Sequence, residues 1–145
     1  LGPHARLLVP LPVLLLRRLA HDPNKELITT LGVKSIVTQP NDDTEKMTKG
    51  VHMIRGYAWS GAGAISEVDV SIDGGETWNS AHIEVPRDRF MWVRWSYRWD
   101  ADKPGKYNIM SRASDEVGRV QSREPRYNNM RKNFSAIVGY PVTVE

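Results

Sequence analysis

Cysteine is absent from the 145 residues. Disulfides, thiolate-ligated metals and cysteine nucleophiles are therefore excluded within this chain. Histidine is scarce: His4, His21, His52 and His82 fall at no spacing that suits a metal site. An uninterrupted apolar run of membrane-spanning length is also missing. The longest candidate, LLVPLPVLLL at Leu7–Leu16, is broken by Pro10 and Pro12 and falls well short of the ~18 residues a spanning helix needs. No cleavage-site pattern follows it, and Arg17-Arg18 close its far end, so residues 1–31 read as an irregular or partly helical leader outside the main fold. A strong charge bias is lacking too. Lys and Arg number 20 against 17 Asp and Glu, giving a formal charge of +3. Nucleic acid is not an expected partner on that balance.

What is present reads as β structure. VKSIVT (Val33–Thr38) is rich in β-branched residues, and VHMIRGYAW (Val51–Trp59) follows a charged loop. ISEVDVSI (Ile65–Ile72) alternates, with Val68, Val70 and Ile72 on one face and Glu67, Asp69 and Ser71 on the other. FMWVRWSYRW (Phe90–Trp99) places Met91, Val93, Trp95, Tyr97 and Trp99 on a core face. Its opposite face, Phe90, Trp92, Arg94, Ser96 and Arg98, is aromatic and basic, as expected of a subunit interface or of Arg stems packed over rings. KYNIMSRASD (Lys106–Asp115) and AIVGYPVTV (Ala136–Val144) complete the set, with Pro141 marking an edge or a bulge. Short strands separated by turns, without a helix signal after residue 31, predict an all-β, immunoglobulin-like antiparallel sandwich of two sheets over residues 32–145.

SIDGGETW (Ser71–Trp78) has the Ser-x-Asp-x-Gly-x-Thr-Trp spacing of the Asp box found in sialidase propellers. It occurs once, whereas a propeller repeats its blades, so the glycan-hydrolase reading fails on length and repetition. The local physics suffices: Gly74 and Gly75 permit positive φ, and Asp73 can accept backbone N–H groups. Ser71 and Thr77 can brace the loop, and Trp78 offers apolar surface to the core.

RGYAWSGAGAISEVDVSIDGGETW (Arg55–Trp78), the Trp-rich WVRWSYRW, SRASDEVGRVQ (Ser111–Gln121) and NNMRKNFSAI (Asn128–Ile137) occur in an order that resembles the C-terminal dimerisation domain of the sulfite oxidase family of molybdenum-cofactor oxidoreductases. AWSGAG and SRASDE look most like the bacterial sulfite and sulfane dehydrogenases. The resemblance implies two-electron oxidation of sulfite or protein-bound sulfur at a molybdenum held by molybdopterin and one protein cysteine. A cysteine-free chain lacks the means to hold that metal. The segment thus reads as an excised domain, a truncated product or one part of a split enzyme.

The resemblance further implies a homodimer, a catalytic molybdopterin domain as neighbour, a c-type cytochrome as electron acceptor and a periplasmic location. It makes Arg131, in Asn129-Met130-Arg131, a substrate-anion contact. Nitrate reductases are similar but carry methionine there, and Lys132 departs from the family's glycine. Trp59, Ser60, Gly61 and Gly63 of the AWSGAG loop, with Trp92 and Arg94, are the expected domain or dimer contacts. The alternative reading is a stand-alone immunoglobulin-like module that binds protein or glycan through the aromatic-basic face.

Overall fold

The computed structural model describes residues 32–40, 46–84, 92–124 and 135–145. The predicted leader, Phe90, Met91, Arg131 and Lys132 lie outside these residues. Among the described residues there are nine strands and no helix: β1 (Lys34–Gln39), β2 (Lys46–Met47), β3 (Gly50–Trp59), β4 (Ile65–Ser71), β5 (Asn79–Ser80), β6 (His82–Ile83), β7 (Val93–Ala101), β8 (Gly105–Asp115) and β9 (Gly139–Val144). They form a four-stranded sheet in the order β1-β3-β7-β6 and a five-stranded sheet in the order β2-β9-β8-β4-β5. The result is the expected immunoglobulin-like sandwich.

The period-two pattern explains which side of each strand is buried. In β7, Val93, Trp95 and Trp99 point into the core while Arg94 and Arg98 remain exposed. In β3, Ile54, Gly56 and Ala58 face inward. They meet Val68 and Val70 of β4, Ile109 and Ala113 of β8, and Val142 and Val144 of β9 in one cluster. Tyr107 closes one side of it, edge-on to Trp99 at 5.0 Å between centroids.

Three details depart from the sequence reading. The β2–β9 pair is parallel, because β2 runs for two residues along the outer edge of β9. It pairs only with Thr143 and Val144, so exposed Pro141 sits on an otherwise open edge, where its missing N–H costs no ladder bond. The last strand begins at Gly139, three residues later than expected. Ser71, expected on the polar face of β4, is fully buried because the following loop folds back over it.

Size complementarity across the sheet fixes how closely β1, β3 and β7 pack. Gly56 is paired with Trp95, and a β-carbon on Gly56 would lie 2.6 Å from Trp95 Cε2 and closer still to the Ile36 carbonyl oxygen. Neither a buried indole nor a backbone carbonyl can step aside. Gly56→Ala is therefore expected to destabilise the fold by about 3 kcal/mol. A urea titration will show this as a lower midpoint at unchanged slope.

Candidate functional site

The AWSGAG loop leaves β3 at Trp59 and is tied to the end of β8 by a buried carboxylate. Asp115 is 3% exposed. Its Oδ2 accepts hydrogen bonds from Ser60 Oγ at 2.7 Å and Arg119 Nε at 2.9 Å. Its Oδ1 accepts the backbone N–H groups of Arg119 at 2.9 Å and Val117 at 3.2 Å. Ser60 Oγ in turn accepts from the Ala62 N–H at 3.1 Å and from Arg119 Nη2 at 2.7 Å. Burial pushes the Asp115 carboxyl up, but the hydrogen bonds from Ser60 and Arg119, with the Arg119 charge, hold it below the usual carboxylate range. Close backbone approach completes the joint. The Glu116 N–H donates to the Ala64 carbonyl at 2.9 Å, and a β-carbon on Gly63 would lie 2.7 Å from Glu116 Cγ. Gly61 is half-buried within the same loop.

A second polar tie crosses between the sheets. Gln121 Oε1 accepts from Ser35 N–H at 3.0 Å and Ser35 Oγ at 2.7 Å in the first sheet, and from Ala113 N–H at 3.2 Å in the second. Ser35 and Ser111 hydroxyls meet at 2.8 Å. Sequence reasoning misses Asp115, Arg119 and Gln121 as anchors. The available signal is an Asp placed four residues before an Arg across a Gly-containing turn.

Of the predicted contact residues, Trp59, Trp92 and Arg94 come together on the outer face of the four-stranded sheet. Trp59 and Trp92 stack at 4.0 Å between centroids, and Tyr57 meets Trp92 edge-on at 6.0 Å. Arg94 lies opposite Tyr57 across the ladder and pairs with Glu84 at 2.9 Å. Val51 and Met53 continue the exposed face along β3, and Trp92 is 57% exposed. Ser60, Gly61 and Gly63 belong instead to the Asp115 joint.

The SIDGGETW loop is held by its own side chains. Asp73 Oδ1 accepts from Ser71 Oγ at 2.7 Å and the Thr77 N–H at 2.9 Å, and Oδ2 accepts from the Thr77 hydroxyl. Ser71 Oγ accepts the Gly75 N–H at 2.8 Å. Gly74 and Gly75 have φ of 72° and 92°, the left-handed region that glycine enters without strain. The Thr77 hydroxyl, then its N–H, then Ser71 hold the Asp73 carboxyl far below the usual range. Trp78 is the correction here. It is half-buried outside the core, and Arg112 covers its ring at 4.3 Å from the centroid, so the indole packs under a guanidinium on the sheet surface.

The residues present do not fit a molybdopterin centre with a protein thiolate. There is no cysteine, and no group of three or more His, Cys, Asp or Glu among the described residues could hold a metal. Among the described residues no helix is long and apolar enough to cross a membrane. Arg131 lies outside the described residues. Of the basic run that leads toward it, Arg119 is bound to Asp115 and Arg123 donates to the Gly74 carbonyl, so neither is a freely solvated charge.

Asp115→Asn would place an amide donor against Ser60 and Arg119 and leave the guanidinium without its counter-charge. The expected loss is about 3 kcal/mol at neutral pH. The native carboxyl is depressed, so its contribution is complete above the unfolded value of about 3.9 and fades as pH falls through the folded value. Urea titrations of both proteins should therefore show a gap that is widest at pH 7 and narrows below about pH 4.

Residues 25–138 match the Mo-co oxidoreductase dimerisation domain. Mitochondrial sulfite oxidase of Rattus norvegicus is 40% identical over 100 residues, covering 65% of this chain and 18% of that enzyme. Nitrate reductase [NADH] 1 of Oryza sativa subsp. japonica is 31% identical over 117 residues, covering 72% of this chain and 13% of the enzyme. Among solved structures, the sulfane dehydrogenase SoxCD from Paracoccus pantotrophus superposes with a TM-score of 0.64 at 32% identity, over 77% of this chain and 30% of that one. The chain thus spans less than a third of the length of these relatives. With the sandwich, the AWSGAG joint and a match over most of its length, the chain belongs to the Mo-co oxidoreductase dimerisation domain family.

Proposed function

We propose that this chain works as the self-associating, pocket-completing domain of a molybdenum oxidoreductase acting on sulfite or protein-bound sulfur. The observation that carries the reading is the outer face of the four-stranded sheet. There Tyr57, Trp59 and Trp92 form an aromatic cluster beside Arg94, and Val51 and Met53 add exposed apolar surface beyond Arg55, next to Arg98. A strip of rings and unpaired apolar side chains gains by being covered, and a second copy of the same face covers it with two-fold symmetry. The molybdenum and its pterin belong to a separate catalytic domain, which supplies the thiolate this chain lacks.

Arg131 is the pocket-completing residue in this reading. A planar guanidinium stays charged at any working pH and forks onto two oxyanion oxygens. The names of the rat and Paracoccus relatives favour a sulfur substrate. A c-type cytochrome as electron acceptor and a periplasmic setting follow from the resemblance to the bacterial dehydrogenases.

Sedimentation of the full chain at about 100 µM should give a dimer, since a stable interface of standard size holds well below that concentration. Trp92→Glu should yield monomers while changing the urea midpoint little, because the side chain is mostly exposed. A monomeric wild type would count against self-association. In an enzyme that carries this domain, Arg131→Ala should raise the sulfite KM at least about tenfold. Unchanged kinetics would remove Arg131 from the site.

A further inference from the structure

A cleft of about 410 Å³, open to solvent, is lined by Gly75, Trp78, Arg112, Val120, Gln121, Arg123 and Ile137. It lies where the SIDGGETW loop meets the segment after β8, away from the aromatic strip. Two of its lining side chains carry donors shut from water that meet no acceptor among the described residues: Arg112 Nε and Gln121 Nε2. Gln121 is 4% exposed. Its amide cannot be turned to relieve this. Oε1 already accepts from the N–H groups of Ser35 and Ala113, and an NH₂ in its place would set donor against donor.

The charges in the cleft have one sign. Arg112 is matched by Asp69 at 3.0 Å, but through Nη2, which leaves Nε free. Arg123 meets a backbone carbonyl, and among the described residues no carboxylate lines the cleft. The remaining walls, Trp78, Val120 and Ile137, are apolar. A sheltered donor without an acceptor is costly, and an acceptor-only group relieves two of them at once.

From these observations we infer that the cleft is a binding site for a carboxylate carried on an apolar body. The carboxylate pairs with the exposed Arg123 guanidinium at the mouth, and the Arg112 side chain turns to bring Arg112 Nε and Gln121 Nε2, closed to water in the empty cleft, onto its oxygens, with the apolar part against Trp78, Val120 and Ile137. The inference is independent of dimerisation, which uses the other sheet.

The test is an NMR titration of the full ¹⁵N-labelled chain with benzoate, benzyl alcohol and sulfate. Benzoate should move the Gln121 side-chain NH₂ and Arg112 Nε–H resonances saturably at millimolar concentration. Benzyl alcohol should not move them, and sulfate should do so only weakly. Arg123 is exposed, so Arg123→Ala should keep the fold and weaken benzoate about tenfold. No saturable change up to about 50 mM benzoate would overturn the site. Equal shifts with sulfate would overturn its assignment to carboxylates, and an undiminished response in Arg123→Ala would overturn the role of that guanidinium.

Discussion

A carboxylate closed off from water must have both oxygens answered, and Asp115 imposes that demand on this sandwich. Four donors reach it, from Ser60, Val117 and Arg119. Two are backbone N–H groups of the turn after β8, so satisfying the charge also fixes the turn. The Ser60 donor arrives from the end of β3, 55 residues earlier, so it ties the loop of one sheet to a strand end of the other. Beside this joint Gly63 lies close against Glu116, and beyond the turn the chain returns so that Gln121 reaches Ser35.

The strands were legible because the demand that builds them is local. Burial of one face of a sheet imposes a period of two, and Val68/Val70 and Val93/Trp95/Trp99 display it without help from elsewhere. The Gly-Gly loop was legible for the same reason, since Ser71, Asp73 and Thr77 are within six residues of one another. The polar joints were not. Ser60 and Asp115, or Ser35 and Gln121, make sense only when strands distant in sequence are side by side, and no periodicity carries that information. Trp78 shows the opposite failure. Its composition argues for the core, yet Arg112, a cross-strand neighbour of Asp69, provides a cover that keeps the indole at the surface.

This division of labour separates the two faces of the molecule. The four-stranded sheet is held from within by Gly56 under Trp95, while the outward residues of β3 and β7 make only surface contacts, such as Arg94 with Glu84 and Trp59 with Trp92. Trp92, Met53 and Val51 stay largely exposed, so their apolar character is best understood through what covers them. On the five-stranded sheet the outward residues are committed: Arg112 to Asp69 and Trp78, Arg123 to Gly74. Among the described residues, two buried donors beside that sheet remain unanswered, Arg112 Nε and Gln121 Nε2.

The commitments also explain why one scaffold can serve enzymes of different substrates. The joint that sets the loops uses Asp115, Ser60 and Arg119, none of which is the Arg131 position where sulfite oxidases and nitrate reductases differ by resemblance. On the reading proposed above, the residue that meets the oxyanion, Arg131, falls in sequence between Gln121, which is anchored to Ala113, and β9, which pairs with β8. On the proposed role of Arg131, the side chains that hold the loops, Asp115, Ser60 and Arg119, are distinct from the one that meets the oxyanion, so stability and specificity are open to separate change.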